Sequence, residues 1–508
     1  MLKNKLKNLI QYFKNKFSPI QQILILSALV RLISVFFSKG FGFHDDHFLI
    51  IESSQSWVDN FDYNYWLPSE EDPNRQPSGH PLFYVGLQYF VFKVFKILAI
   101  NDPQMKMLMV RFIHAAWSLL IVKFGYLIAE KLSNQKTAIY VALLLGLYWF
   151  MPFVSVRNLA EFVCLPAFMW GIWLLVKEIN YKNFLFAGIL FGVAFSIRFQ
   201  VVFMLAGVGI SLLILKTPFK QLLALGFGFL LTIFITCGLV DFILWNKPFG
   251  EFLSYIQYNI DNAGVYGTNN WHMYFDLIFG LLIPPLSFAL FYGYFYSYKK
   301  TIIIFWSVFV YLAFHTYFPN KQERFVLTIF PLLIISGTIG AFMLYENYKL
   351  KLSPKFVTVS KWFVIILNCI LLLFLSPSYG KRHRVESVYY LSKKTDCTTF
   401  FIEDSNKEND YLMPPLFYFG KWFSVCGINK NYNADSALVY YNQTSLQPKP
   451  NYVIFMQAEN IESRVAAMKK NFPDLRYEAT IEPSLLDKTL FWLNPLNDNQ
   501  TAFIYKLK

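Results

Sequence analysis

The first candidate for chemistry in this sequence is a pair of adjacent carboxylates with a third acid close behind. Asp45 and Asp46 are flanked by histidines, and Glu52 follows one helical face further along. Neighbouring carboxylates repel each other, so one of them is expected to bind a proton or a cation more tightly than usual. The pair could therefore supply a general base or a metal ligand. A helix N-cap followed by acidic first-turn residues is the alternative interpretation.

Three other short segments, residues 157–161, 196–200 and 319–325, carry cations. Arg presents paired N–H donors and Lys a point charge, and both suit a phosphate leaving group. Taken singly, each cation could instead be an anchor whose side chain snorkels to a membrane interface. The candidate phosphate ligands are Arg157, Arg198, Lys321 and Arg324.

The loop between residues 258 and 272 is rich in amides, aromatic rings and glycine. Aromatic rings stack on sugar faces and Asn side chains hydrogen-bond hydroxyl groups, so the composition favours a carbohydrate subsite. For the tryptophan alone, a place in the aromatic belt of a membrane protein is the alternative. The candidate sugar ligands are Asn262, Tyr266, Trp271 and His272.

Membrane helices must position these groups. The 508 residues are 55% hydrophobic and only 15% charged, whereas an average soluble domain is about 25% charged. This composition excludes a single water-soluble domain and predicts a polytopic membrane protein. The net charge of +14 comes from Lys and Arg in short clusters between apolar runs, not in a stripe with interleaved aromatics, so we expect no nucleic-acid partner.

A membrane span needs about 20 mostly apolar residues. The sequence contains twelve such runs. One of them, 80–99, carries Gln88, Lys93 and Lys96 and has the composition of a helix that lies in the membrane interface. If run 80–99 does not cross the membrane, the basic connections lie on the cytoplasmic side with the N-terminus, as the positive-inside rule requires. All the candidate residues then lie on the extracytoplasmic side. We therefore predict eleven spans, over residues 18–38, 111–130, 137–153, 158–176, 184–197, 200–215, 220–244, 273–297, 301–318, 325–345 and 359–376.

The last part of the chain changes character. Strand-forming runs at residues 398–402, 452–456 and 501–505 and a helical run at 461–472 predict a small α/β domain. Cys397 and Cys426 could pair in an oxidising compartment or remain free thiols. The predicted organisation is a basic cytoplasmic N-terminus (1–17), a transmembrane catalytic domain (18–376) and an extracytoplasmic α/β domain (377–508).

Five stretches in this order resemble the motifs of glycosyltransferase family 22. The family's first-loop His-Pro-Asp-Glu with a further Glu is matched by Asp45-Asp46 with Glu52, although Phe43-His44 replaces the His-Pro. Its remaining motifs are Arg-Thr-Leu-Ser-Asn, Ile-Arg-Pro-Thr, an Asn-x-x-Asn, Tyr-Gly, Trp-His-x-Tyr-Phe loop and His-Lys-Glu-Glu-Arg-Phe. They are similar to residues 157–161, 197–200, 259–275 and 320–325, with the His and first Glu of the last motif altered.

The resemblance implies an all-α GT-C fold with about eleven spans and juxtamembrane helices in the first external loop. It implies an inverting transfer of a sugar from a polyprenyl- or dolichyl-phosphate donor to a lipid-linked or surface glycan, with mannose as the expected sugar. Asp45, helped by Asp46, would be the base, and the four cations would hold the phosphate. Glu52, Asn320 and Glu323 join the loop residues as expected sugar or acceptor ligands. The reaction would require no cofactor, because fixed cations can stabilise the charge of the leaving phosphate. The acidic pair could still recruit a divalent metal, but a metal is not predicted.

The expected location is a bacterial inner membrane, or the endoplasmic reticulum membrane in a eukaryote, with membrane lipid as a further partner. Many Lys, Asn, Phe and Ile residues indicate an AT-rich genome and favour the bacterial case. A lipid-linked glycan flippase is one alternative, although polar groups at span ends and in long loops favour an enzyme. A non-catalytic glycolipid-binding GT-C homologue is the other.

Overall fold

The computed structural model describes residues 16–265, 267–348, 353–443 and 448–507. Most of the basic N-terminal segment and the candidate sugar ligand Tyr266 lie outside these ranges. The chain divides into two compact units. The first comprises the residues up to 33, 66–87 and 111–376, and the second comprises 34–65, 88–110 and 377–508.

Helices account for most of the chain. A π-helical turn at Phe48–Glu52 joins two short helices, another at Phe234–Gly238 continues a longer one, and 3₁₀ turns occupy Glu323–Thr328 and Leu416–Tyr418. The helices are α1 Pro19–Phe37, α2 His44–His47, α3 Ser53–Val58, α4 Leu82–Ile97, α5 Pro103–Leu132, α6 Gln135–Leu147, α7 Met151–Val154, α8 Ala160–Val163, α9 Leu165–Lys177, α10 Tyr181–Ile197, α11 Val201–Ile214, α12 Phe219–Ile233, α13 Leu239–Trp245, α14 Gly250–Asp261, α15 Met273–Leu281, α16 Leu286–Tyr296, α17 Ile302–Tyr317, α18 Phe330–Tyr348, α19 Pro354–Leu375, α20 Arg382–Ser392, α21 Ala434–Asn442, α22 Ile461–Asn471 and α23 Leu485–Leu493.

Six helical stretches of the described chain are long and apolar enough to cross a membrane, and α15 with α16, bent by 117°, could form a seventh span. Four shorter apolar helices are α6, α10, α11 and α17. Each of the eleven predicted spans coincides with one of these stretches, although the number that cross the membrane stays a prediction. The six are Pro19–Phe37, Pro103–Leu132, Ala160–Lys177, Phe219–Trp245, Phe330–Asn347 and Pro354–Leu375.

Close helix contacts in the first unit depend on glycine. A Cβ atom added at Gly340 of α18 would lie 1.8 Å from the carbonyl oxygen of Gly293 on α16, and one added at Gly293 would lie 2.1 Å from that of Gly337. Only glycine lets the two backbones approach this closely, as is common between membrane helices. This contact fixes α18, which directly follows the 3₁₀ turn that carries Arg324.

The second unit contains a five-stranded sheet. Its strands are β1 Phe400–Glu403, β2 Cys426–Ile428, β3 Tyr452–Met456, β4 Arg476–Ile481 and β5 Ala502–Lys506. Their order in the sheet is β2-β1-β3-β5-β4. Strands β1, β2 and β3 are parallel, and β5 is antiparallel to β3 and β4. The predicted strands near 398–402, 452–456 and 501–505 and the predicted helix at 461–472 are confirmed.

The C-terminal region, predicted as a domain of its own, shares one hydrophobic core with the first loop. Phe48 and Ile51 of the loop and Phe92 of α4 belong to the same buried cluster as Phe400 and Phe417. Residues 34–65 are therefore folded together with the sheet region, which bears on the carboxylates they carry. Cys397 and Cys426 are both buried free thiols.

Candidate active site

A buried acid joins two of the candidate phosphate ligands in the first unit. Arg198 follows the last residue of α10, Glu161 lies in α8, and Arg324 lies in the 3₁₀ turn Glu323–Thr328. One oxygen of Glu161, Oε1, lies 3.0 Å from Nη1 of Arg198 and 3.3 Å from Nε of Arg324. All three side chains are buried or nearly so. Two cations share one anion, so the cluster keeps an excess positive charge.

Part of the Arg198 guanidinium has no hydrogen-bond acceptor. Its Nε and Nη2 atoms are buried and find no partner in the described part of the chain. The ring of Phe325 lies 5.1 Å from the Arg198 guanidinium and 5.6 Å from that of Arg324. Buried N–H donors are almost always satisfied in native proteins. Unused donors on a buried cation therefore point to an anionic ligand.

His315 of α17 lies beside the same ring and was not identified from the sequence. Its Nδ1 lies 2.8 Å from the carbonyl oxygen of Tyr311 and so carries the proton, while its buried Nε2 finds no partner among the described residues. The His315 and Phe325 ring centroids are 5.5 Å apart. His315 thus presents an unused acceptor near the cationic cluster. The signal in the sequence was a lone polar residue near the end of an apolar run.

The motif at 319–325 and the sugar loop are joined by backbone pairing. Thr268 pairs with Asn320 in an isolated bridge, and the Lys321 N–H donates to the carbonyl oxygen of Gly267 at 2.7 Å. The Lys321 ammonium donates to the carbonyl oxygen of Phe318 at 2.7 Å, and burial lowers its pKa. The structure therefore brings Asn320 and Lys321 to the predicted sugar loop.

The remaining candidates of the first unit are more dispersed. Arg157 stacks on Phe153 at 4.3 Å. Trp271 is 66% exposed and His272 is exposed, with its Nδ1 2.6 Å from Asp276. The Asn262 amide donates to the carbonyl oxygen of Tyr258 at 2.9 Å, within its own helix end. Glu323 is exposed at the start of its 3₁₀ turn.

An apolar groove of about 450 Å³ lies in the first unit. Its walls come from α15, α16, α17 and the start of α18, and almost all of its lining atoms are apolar. Thr316 and Tyr317 at the end of α17 line one part of it, and Lys321 follows them in the chain by one short loop. The further lining residues include Phe275, Phe291, Val308, Leu312, Ile329 and Leu333.

The carboxylate pair lies in α2, in the second unit, and its two members differ. Asp46 is 4% exposed, and its oxygens accept the backbone N–H groups of Gly42 and Phe43, both at 3.1 Å. Asp45 is half-buried. The carboxylate of Asp46 thus helps to fix the start of α2, and that of Asp45 is the more accessible of the two.

Glu52, predicted as a sugar or acceptor ligand, is fully buried. Its two oxygens both lie 3.0 Å from the Phe417 backbone nitrogen, and Oε1 also lies 3.0 Å from Nε2 of His47. The His47 ring stacks between Phe41 and Tyr418, with ring centroids 4.6 and 5.5 Å away. Both carboxyl oxygens of Glu52 are therefore engaged by groups of the protein itself.

The same environment keeps Glu52 and His47 uncharged. Burial raises the pKa of Glu52 well above its usual range, although the Phe417 N–H opposes the rise. Burial, helped by the Arg384 guanidinium, lowers the pKa of His47 to about 3. The pair therefore shares a proton as a neutral acid and a neutral imidazole. In the described residues, no group of three or more His, Cys, Asp or Glu side chains is arranged to hold a metal.

Comparison with solved structures identifies the fold. The chain is similar to ArnT from Cupriavidus metallidurans bound to undecaprenyl phosphate, with a TM-score of 0.62 and 10% identity over 96% of this chain and 98% of that one. It is also similar to the mycobacterial arabinofuranosyltransferase AftD, with a TM-score of 0.53 and 10% identity over 97% of this chain and 40% of that one. These likenesses confirm the predicted GT-C fold, and the apolar helices of the described chain support an integral membrane protein.

Comparison of sequences identifies the family. Alpha-1,2-mannosyltransferase ALG9 of Arabidopsis thaliana is 28% identical over 199 residues, which are 36% of this chain and 33% of that protein. GPI mannosyltransferase 3 of Saccharomyces cerevisiae is 24% identical over 139 residues, 24% of this chain and 22% of that protein. The matched stretches thus span about a third and a fifth of these relatives. Because the Alg9-like mannosyltransferase family matches residues 22–413, the chain belongs to that family, as its motifs predicted.

Proposed function

We propose that this protein is an inverting mannosyltransferase. It moves mannose from a polyprenyl-phosphate donor to a hydroxyl group of a lipid-linked or surface glycan, at the extracytoplasmic face of the membrane. The observation that carries the proposal is the buried cluster of Arg198, Glu161 and Arg324, with unused N–H donors on Arg198. Membership of a mannosyltransferase family supports the choice of sugar.

The cationic cluster suits the phosphate of such a donor. Two guanidinium groups held by one carboxylate cannot swing away, so their charge is already in place when negative charge develops on the leaving group. Arg198 and Arg324 bind the phosphate, with Lys321 and Arg157 as further ligands. Because the two guanidinium groups supply fixed positive charge, the proposed mechanism requires no metal ion. His315 accepts a hydrogen bond from a hydroxyl group of the donor through Nε2.

The apolar groove suits the lipid part of the donor. Its lining is almost wholly apolar, and it ends at α17 one short loop before Lys321. A polyprenyl chain in the groove would bring its phosphate to the cations. The similar fold of ArnT, whose structure contains undecaprenyl phosphate, agrees with a polyprenyl-phosphate ligand.

Asp45 is the general base in this scheme. Its carboxylate takes the proton of the acceptor hydroxyl while the hydroxyl oxygen attacks the anomeric carbon from the side opposite the phosphate. The bond from that carbon to the phosphate oxygen breaks, and polyprenyl phosphate leaves with the bonding electron pair, so the configuration inverts. Asp46 keeps α2 in place. The loop residues Asn262, Tyr266, Trp271 and His272, with Asn320 and Glu323, contact the sugar or the acceptor.

The test is sugar transfer by the purified chain in detergent. Polyprenyl-phosphate mannose and a panel of lipid-linked glycans are supplied, and products are followed by mass spectrometry. We expect mannose transfer with inversion that is lost in Asp45→Asn while the variant stays folded. Transfer only from a donor with another sugar would overturn the mannose assignment. No transfer from any donor, together with glycolipid movement across proteoliposomes, would favour a flippase instead.

A further inference from the structure

Helix α23 of the second unit presents a large apolar surface to its surroundings. Leu485 is 68% exposed, Trp492 is 79% exposed and Leu493 is 65% exposed, and Leu496 just beyond the helix is 87% exposed. At 100° per residue, the three helical side chains project from one side of the helix. Soluble surfaces rarely expose several large apolar side chains together unless they bind something.

The side of α23 opposite these three side chains is attached to the protein through Asp487, which is buried. The Asp487 oxygens accept the backbone N–H groups of Lys381 and Arg382 at 2.8 and 3.0 Å, and the Ser484 hydroxyl donates to the carbonyl oxygen of Tyr379 at 2.6 Å. These contacts fix the orientation of the helix, so its apolar side faces outward.

The attachment point is close in the chain to a membrane helix. Only residues 376–380 lie between the last residue of α19, Leu375, and Lys381. An extended chain advances by roughly 3.5 Å per residue, so Lys381 lies within about 20 Å of the end of α19. The start of α23, which is hydrogen-bonded to Lys381, is therefore separated from the end of α19 by only a short stretch of chain.

We infer that α23 binds the surface of the lipid bilayer. Trp is enriched where a membrane meets water, because its ring has an apolar body and a polar N–H. Lys488, 57% exposed on the flank of the apolar side, suits the charged head-group layer. The buried side of α23 packs on the rest of the second unit and its apolar side contacts lipid, as in a helix that lies in the membrane interface. The C-terminal region is thus held to the membrane at a second point besides α19. This inference does not depend on the proposed activity.

The test places a bimane fluorophore on single cysteines in the full chain, reconstituted in nanodiscs. Cys369, the one exposed cysteine of the described residues, is first replaced by Ser. The labelled positions are Trp492→Cys and Leu496→Cys, and the second of these lies outside the helix, where folding is least affected. The matched control is Val439→Cys on α21, which is 65% exposed and lies in the same unit.

Lipids brominated near the head group should quench the label at positions 492 and 496 but not at 439. Iodide in the water should quench position 439 and spare the other two. Equal iodide quenching at all three positions would overturn the inference. Protection of positions 492 and 496 from both quenchers, lost on dilution of the protein, would also overturn it, because a second copy of the chain would then cover the helix.

Discussion

Glu52 is expected to act as a neutral hydrogen-bonding group rather than as a charge. In Glu52→Gln, the amide oxygen still accepts the Phe417 N–H and the amide N–H still donates to Nε2 of His47, so both contacts at 3.0 Å survive. We therefore expect this variant to keep activity within about threefold of wild type, since a neutral side chain of the same shape remains.

Glu52→Ala removes both contacts. The buried Phe417 N–H and His47 Nε2 are then left without partners, at a cost of roughly 1–3 kcal/mol each. We expect a loss of about 3 kcal/mol in the free energy of unfolding, measured by thermal unfolding in detergent, because the vacated space can partly collapse. Asp45 lies in the helix next to this network, and a base displaced by 1 Å can cost about 100-fold in rate. The effect should fall on kcat more than on KM.

The assay is mannose transfer measured across pH for wild type, both Glu52 variants and Glu408→Gln, a matched change at a glutamate whose side chain is 76% exposed. Wild type, Glu52→Gln and the Glu408 control should have the same kcat profile across pH, because the side chain at position 52 carries no charge in any of the three. A Glu52→Gln protein that is as stable as wild type but as inactive as Glu52→Ala would refute the reasoning. The charge of Glu52 would then be required.

Three further outcomes are expected. Asp46→Asn keeps one acceptor for the N–H groups of Gly42 and Phe43, so it should lower the Tm by a few degrees and reduce transfer less than Asp45→Asn; a larger loss of transfer would contradict this. Glu161→Gln leaves two buried cations without their anion, so unfolding free energy should fall by roughly 3 kcal/mol and the KM for the donor should rise; unchanged thermal unfolding would contradict it. Burial raises the pKa of Asp404 to about 6, so wild type loses stability as pH rises from about 4 to 6. Asp404→Asn lacks this loss, so the Tm of the variant relative to that of wild type should rise over the same pH range. A Tm difference between the two proteins that does not change with pH would contradict this.

The helices were largely predictable because lipid imposes a simple demand. A membrane helix must be apolar over its length, so apolar runs reveal where helices lie. The length of an apolar run is a weaker guide to whether its helix crosses the membrane. Helices α10 and α11, for example, are short, and Arg198 lies between them. The bend of 117° between α15 and α16 was also not predicted, because the run over 273–297 looks continuous apart from its prolines.

The sheet was predictable only where its strands are buried. Strands β1 and β3 are buried at every position and appear as apolar runs. Strand β4 has three exposed residues among its six and none that is buried, and its alternation of polar and apolar residues was not recognised. Strand β2 has three residues, including Gly427, too few for any periodic signal. A strand held mainly by its neighbours leaves little trace in composition.

In the candidate site, charged side chains could be predicted from the sequence, whereas their partners and the backbone contacts could not. Charged residues such as Arg198 and Arg324 could be found because they stand out against apolar runs, but their shared partner Glu161 could not be assigned, since nothing in the chain order pairs them. Glu52 is the clearest case. Its partner in the C-terminal region is the backbone N–H of Phe417, which any residue except proline could supply. A contact of this kind places no demand on residue type, so the C-terminal region can carry no recognisable motif and still determine the position of the helix that bears Asp45.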